Sequence, residues 1–202
     1  MNNPILRFIE NPFERIAGFQ TLAWGLLGLA VSTGLAYATD YHYHGLLHYG
    51  PAPNPAWWCY VGEHLAVWLA PALIFYLGGL ILSRSKIRVL DVFGTTLFAQ
   101  LPLLFTNFIA FLPFYKQLAQ IDIDGSLQEQ IAQANDLILQ PGFWISVWLS
   151  VVSILFVIWM GYWMFKALAV SCNLKGNKLG ILFCVGLFGG DVLSRLLIGL
   201  LY

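Results

Sequence analysis

Histidines are the residues of this sequence whose type and spacing most readily suggest chemistry. His42, His44 and His48 fall within one short stretch, and the fourth histidine, His64, directly follows Glu63. Imidazole and carboxylate groups are ligands that zinc and similar divalent ions favour. The sequence therefore allows a mononuclear metal site made from these four histidines and Glu63.

Two features of the same stretch limit the metal hypothesis. No known ligand spacing such as His-Glu-x-x-His is present, and His44 and His48 would share a face only if the segment is helical. The alternative is that the histidines, together with Tyr41, Tyr43 and Tyr49, anchor this connection at the level of the lipid headgroups. Both interpretations remain open at this stage.

Polar and ionisable residues inside long apolar blocks form a second group. Such residues are costly within a membrane and usually face the interior of a helix bundle. Glu63 and His64 lie about 10 Å into their block at 1.5 Å per residue, and the i, i+4 spacing of Asp191 and Arg195 allows them to pair along a helix. Together with polar residues of other blocks they converge on one depth, which predicts an outward-facing pocket for a ligand. The predicted lining residues are Glu63, His64, Gln100, Asn107, Ser150, Asp191 and Arg195.

Arg195 is the residue of this pocket best suited to an anion. Its guanidinium matches phosphate, so it would bind a phospholipid headgroup or a small anionic solute, with Asp191 holding it in orientation. The alternative is that the pair only fixes helix register and that the remaining polar residues are packing contacts. Gly186 and Gly190 have the GxxxG spacing that admits a close helix neighbour, from the same chain or from a second copy in a homo-oligomer.

Catalytic motifs are not found in the sequence. There is no Gly-x-Ser-x-Gly elbow, no phosphate-binding glycine loop and no Cys/His nucleophile pair. We therefore expect a protein that is not an enzyme. A metal-dependent membrane enzyme or metal carrier, with a divalent ion such as zinc, is one alternative, and a structural scaffold is another. The net charge of +0 gives no reason to expect nucleic acid as a partner.

Transmembrane helices are the elements that must position these residues. The 202-residue chain is 59% hydrophobic and 10% charged, whereas soluble domains have about 45–50% apolar and about 25% charged residues. A spanning helix needs about 20 mostly apolar residues. Five blocks are long enough, at residues 18–38, 56–82, 89–114, 143–170 and 179–201. The prediction is an all-α bundle of five spans in a lipid bilayer, forming one integral membrane domain over residues 1–202.

The orientation of the bundle follows from its basic residues. Arg84, Lys86 and Arg88 lie in the second connection, while the first connection contains no Lys or Arg. Because cytoplasmic loops carry the excess of Lys and Arg, the N-terminus is predicted to be cytoplasmic and the C-terminus external. The histidine-rich connection would then be external as well.

Two short segments outside the spans have helix-start signals. Asn11-Pro12-Phe13-Glu14 combines an N-cap residue with a proline at the first helical position, and its apolar face predicts a helix on the inner membrane surface. Ser126-Leu127-Gln128-Glu129 is a capping-box sequence, which predicts a short helix packed on the outer surface.

The chain resembles the Yip (Ypt-interacting protein) family, in its bacterial branch. The resemblance rests on Asn11-Pro12-Phe13, on the polar third span from Gly94 to Pro102, and on the run from Trp159 through Lys166 to Gly176. It implies a five-span membrane protein, a bacterial inner membrane location, and a role in membrane organisation, lipid handling or small-solute transport. Eukaryotic members engage Rab-type GTPases through a longer cytosolic N-terminal region. Only a short segment precedes the first span here, so GTPase binding is not expected to carry over.

Overall fold

The chain folds as a bundle of five apolar helices that are long enough to cross a membrane, as the sequence predicts. A computed structural model describes residues 8–51, 55–112 and 126–202. The spans are α1 (Phe19–Thr39), α2 (Trp57–Leu82), α3 (Val89–Ala99) continued by α4 (Leu103–Ile109), α6 (Phe143–Ser171) and α7 (Gly176–Gly199). A shorter helix, α5 (Leu127–Ile138), precedes α6.

The third span, predicted as one block over residues 89–114, is broken into two helices. Pro102 has no backbone N–H and its ring displaces the carbonyl of the residue four positions earlier, which is Phe98. The Leu101 amide takes that carbonyl instead, at 3.1 Å, in a tight turn between α3 and α4. Helix α4 ends at Ile109, and the predicted residues 113–114 lie outside the described part of the chain.

The histidine-rich connection is a β-hairpin made of β1 (Tyr41–Gly45) and β2 (His48–Pro51). The two strands are antiparallel, with Tyr43 opposite Tyr49 and a register irregularity between Tyr43 and Gly45. A helical arrangement of His44 and His48 is therefore wrong, because the alternating Tyr and His residues form strands. An isolated two-stranded hairpin is barely stable, so this one depends on its contacts with the helices.

The hairpin enters the helix bundle. Tyr41, His42, Tyr43 and Leu46 are buried, and β1 contacts both α2 and α7. The turn of the hairpin reaches Asp191, eight residues before the end of α7 at Gly199, a depth of about 12 Å at 1.5 Å per residue. We call this end of the bundle the hairpin side, and the end with connections 83–88 and 172–175 the basic side.

Helices α2 and α7 form the most extensive helix pair of the bundle. A Cβ atom added at Gly186 would collide with the ring of Phe75, and one added at Gly190 would lie 2.8 Å from Pro71 Cβ. The glycine surface that the sequence leaves open to a second copy is thus filled by α2 of the same chain, because only glycine permits so close an approach. A homo-oligomer through Gly186 and Gly190 is not available in this fold.

Of the two helices predicted outside the spans, the one at Ser126 has the predicted cap and the one at Asn11 does not. Ser126 caps α5 with the predicted capping box to Glu129, and Leu127 and Ile131 remain exposed, as suits a helix in the membrane interface. Near the N-terminus, Pro12–Glu14 form one 3-10 turn with no side-chain cap. Phe13 in that turn is buried with its ring edge on Phe98, so this turn is part of the bundle.

Candidate functional site

Glu63 is the centre of a buried polar cluster at the base of the hairpin. Its side chain and that of His42 are both 0% exposed, and His42 Nδ1 lies 3.0 Å from Glu63 Oε1. The Tyr43 amide donates to Glu63 Oε2 at 3.2 Å, and the Tyr202 hydroxyl donates to Oε1. A buried carboxylate needs several donors to offset its lost hydration. Glu63 obtains them from the hairpin and from Tyr202.

Tyr202 closes this cluster from the segment that follows α7. Partial burial and the hydrogen bond to Glu63 raise the pKa of Tyr202. Its hydroxyl therefore stays protonated and remains a donor at neutral pH. At Gly62 an added Cβ would lie 2.7 Å from Leu201 Cδ1, so the side chain of the neighbouring Leu201 would have to shift.

His64 and Asn107 belong to a second chain of hydrogen bonds. His64 Nδ1 lies 2.7 Å from the Tyr60 carbonyl oxygen, so Nδ1 carries the proton and Nε2 accepts from the Ser32 hydroxyl at 2.8 Å. The Asn107 amide donates to Ser32 Oγ, and Asn107 Oδ1 accepts from the Tyr43 hydroxyl at 3.3 Å. This chain joins α1, α2, α4 and β1.

Gln100 donates a hydrogen bond to a backbone carbonyl of α2 that lacks its usual donor within the helix. Pro71 lies inside that helix and lacks the N–H that would bond to the carbonyl of Val67, four residues earlier. Gln100 Nε2 donates to that same carbonyl at 3.0 Å. The predicted pocket residue thus satisfies an acceptor that the proline leaves without its helical partner.

Asp191 and Arg195 form the predicted pair along α7 and also bind the turn of the hairpin. Arg195 Nε donates to Asp191 Oδ2 at 2.9 Å, and Asp191 Oδ1 accepts from the Leu47 amide at 2.8 Å. Ser194 Oγ accepts from the Leu46 amide at 3.0 Å. The backbone N–H groups of Leu46 and Leu47 in the turn therefore both donate to side chains of α7.

The rim of this cluster is exposed. The Arg195 side chain is 44% exposed, and the side chain of Asp191 beneath it is 8% exposed. His48, from β2, is 53% exposed, and its Nε2 lies 2.8 Å from Arg195 Nη2. Arg195 and His48 consequently place two nitrogen-rich groups side by side at the edge of the bundle.

Ser150 lies apart from these clusters, beside a cavity of about 220 Å³ that Tyr43, Thr106 and Ser153 also line. Its hydroxyl donates to the Ser146 carbonyl of its own helix at 3.0 Å. A smaller cavity of about 30 Å³ lies among Ser32, Tyr43, His64 and Gln100, which is room for one or two water molecules.

The five predicted metal ligands are not brought together. His42 and Glu63 are in contact, His64 bonds to Ser32, and His48 lies beside Arg195. His44 points instead to the Pro51 carbonyl oxygen, at 3.2 Å. Within residues 8–51, 55–112 and 126–202, no three His, Cys, Asp or Glu residues form a group that could hold a metal ion. Metal binding remains a prediction.

Ser32, Ser194 and Leu47 contribute to these clusters and were not predicted from the sequence. One signal was present for Ser32, because small residues recur every three or four positions on the buried face of α1, at Gly25, Gly28, Ser32 and Ala36. Ser194 lies between Asp191 and Arg195 with no pattern that sets it apart, and Leu47 could be placed only by knowing the hairpin.

Comparison with known proteins identifies a family for the chain. The sequence profile of the Yip1 domain matches residues 10–192. The matched range includes the hairpin, all of the spans up to Val192, and Asp191. Among curated proteins and among solved structures, no significant match is found.

Proposed function

Because the chain belongs to the Yip1-domain family of integral membrane proteins, we propose that it is a non-enzymatic member that handles lipid. In this proposal it binds the anionic headgroup of a phospholipid on the hairpin side. We place it in a bacterial inner membrane because it resembles the bacterial branch of the family, and we place the hairpin side outside on the basis of the Lys and Arg distribution.

The observation that carries the proposal is the arrangement of Arg195. Asp191 Oδ2 accepts from Nε at 2.9 Å and lies 2.8 Å from Nη2, which fixes the plane of the guanidinium. Among the described residues, no protein group bonds to Nη1, and the side chain is partly exposed beside His48. An oriented guanidinium with free donors is suited to bind phosphate oxygens.

The ligand is placed at Arg195 and not in the bundle core because the four core residues that the sequence predicts to line a pocket already bond to protein groups. Glu63, His64, Asn107 and Gln100 each bond to the hairpin or to a neighbouring helix. The role of Glu63 and Asn107 in the proposal is to hold the hairpin, and through its turn to support Asp191. Passage of a solute has no such observation in its favour.

The test compares Arg195→Ala with Arg195→Lys in protein purified with phosphatidylglycerol. Native mass spectrometry counts the lipids retained, and thermal unfolding reports whether the fold is intact. We expect Arg195→Ala to lose the retained lipid while melting within a few degrees of the wild type, and Arg195→Lys to retain an intermediate amount, because a lysine keeps the charge without the planar fork.

A matched control is Arg84→Ala, which removes an exposed arginine on the basic side. This control variant should retain lipid as the wild type does. Equal retention by Arg195→Ala and wild type would reject the headgroup site. Loss of folding in Arg195→Ala would favour the alternative in which the pair only fixes helix register.

A further inference from the structure

A wide apolar groove lies between α6 and α7. Its volume is about 520 Å³, and the residues that line it are all apolar or aromatic, among them Leu47, Val157, Met160, Phe165, Phe183 and Leu187. Ligand pockets in proteins usually have volumes of about 300–1,000 Å³. The groove thus has the size of a ligand site, with a lining that suits a hydrocarbon.

The groove is continuous with the proposed headgroup site. Leu47 belongs to both, because its side chain lines the groove and its amide donates to Asp191 Oδ1 at 2.8 Å. On α7, Leu187, Asp191 and Arg195 are spaced four residues apart and so follow one face of the helix. The groove therefore begins about one helical turn beneath Asp191, on the side away from the headgroup level.

We propose that this groove holds one acyl chain of the anionic phospholipid whose phosphate is bound at Arg195. The proposal rests on the function proposed above and extends it from a headgroup contact to a site for a whole lipid. A charged end and an apolar slot in line along the membrane normal match the chemistry of a phospholipid. Ile158 and Phe188 at the rim are exposed, so a chain can enter sideways from the bilayer.

The same layout argues against a second copy of the chain as the occupant. A hydrophobic helix seated in the groove would leave the partly exposed Arg195 and His48 at its end without an anion. Association of two copies through α6 and α7 is nevertheless an outcome that the experiment can register, as a dimer mass.

The first test uses the wild-type protein and a phosphatidylglycerol with a photoactivatable diazirine in its acyl chain. After illumination in nanodiscs, peptide mapping should place the label on α6 between Val157 and Phe165 and on α7 between Phe183 and Phe188. Labels spread evenly over the lipid-facing sides of all five spans would overturn the proposal, because that is the pattern of ordinary surrounding lipid.

The second test fills the groove at Gly161. A Cβ at this position would have Phe183 Cζ as its nearest neighbour, at 3.9 Å, so a small side chain fits and a large one extends into the groove. Gly161→Phe should weaken retention of long-chain phosphatidylglycerol at least tenfold, and Gly161→Ala should change it little. Gly34→Phe is the matched control, since Gly34 is exposed on α1 and has open space around it.

Dihexanoyl phosphatidylglycerol, with the same headgroup and short chains, separates the two proposals. Gly161→Phe should bind it as the wild type does, whereas Arg195→Ala should lose both lipids.

Unchanged retention of the long-chain lipid in Gly161→Phe would overturn the proposal for the groove, while the proposed headgroup site would remain. If Gly161→Phe loses the long-chain lipid while Arg195→Ala retains it fully, the acyl-chain groove is supported and the headgroup site is overturned. A dimer mass that Gly161→Phe abolishes would assign the groove to a second copy. If Gly161→Phe does not fold, the labelling of the wild type decides alone.

Discussion

Removing the Gln100 side chain should destabilise the bundle through a single carbonyl in a different helix. In the wild type, Pro71 provides no N–H for the Val67 carbonyl, and Gln100 Nε2 supplies the hydrogen bond at 3.0 Å. Gln100→Ala leaves that buried acceptor without its donor. An unsatisfied buried group costs about 1–3 kcal/mol, and hydrogen bonds between membrane helices average about 0.6 and reach about 1.7 kcal/mol. We therefore expect a loss of about 1–2 kcal/mol.

The same substitution should cost much less when Pro71 is replaced by alanine. The Pro71→Ala change restores the helical N–H to the Val67 carbonyl and keeps the Cβ that packs against Gly190. In that background Gln100→Ala removes only a redundant donor, so a cost of about 0.5 kcal/mol or less is expected. The resulting coupling between positions 71 and 100 is about 1 kcal/mol, and a double-mutant cycle isolates it.

The free energy of unfolding can be measured by steric trapping or by denaturation in mixed micelles, for wild type, Gln100→Ala, Pro71→Ala and the double variant. Equal costs of Gln100→Ala in both backgrounds would show that Gln100 acts through some contact other than the Val67 carbonyl.

Two further perturbations test the hairpin and the interfacial helix. Glu63→Leu removes both acceptor oxygens, so the buried Tyr43 amide loses its partner, at about 1–3 kcal/mol; hydrogen exchange at Tyr43 should rise at least tenfold, and unchanged exchange would contradict the role of Glu63 in holding the hairpin. The Ser126 hydrogen bonds lower the pKa of Glu129, so their stabilisation is present above the ordinary glutamate pKa and disappears as the pH falls through the lowered one. The protection factors of the amides at the start of α5 should fall over that acidic range in the wild type, and by a smaller amount in Ser126→Ala, where only the backbone N–H of residue 126 still donates to Glu129.

Much of the membrane architecture was predictable from the sequence because it depends on local properties. Apolar blocks of sufficient length give spans wherever they occur, and the capping box at Ser126 involves only neighbouring residues. The pairing of Asp191 with Arg195 is likewise local, since residues four apart on a helix lie side by side.

The arrangement of the site depends on contacts between distant parts of the chain, which no local pattern encodes. The sequence placed His42 and Glu63 in one hypothetical metal site, but it could not show that the hairpin enters the bundle and gives Glu63 its backbone donor at Tyr43. In the same way, the sequence shows Gln100 only as a polar residue in an apolar block. Its role as a donor to α2 near Pro71 depends on the packing of α3 on α2, which no local pattern gives.

In the proposed function, an arginine held by Asp191 binds the phosphate of a membrane lipid. An experimental map of the protein in nanodiscs containing phosphatidylglycerol would show this contact. We predict headgroup density with a phosphate oxygen about 2.7–2.9 Å from a guanidinium nitrogen of Arg195. A map that shows Arg195 in contact with water alone, with ordered lipid only at other sites, would rule out the headgroup site.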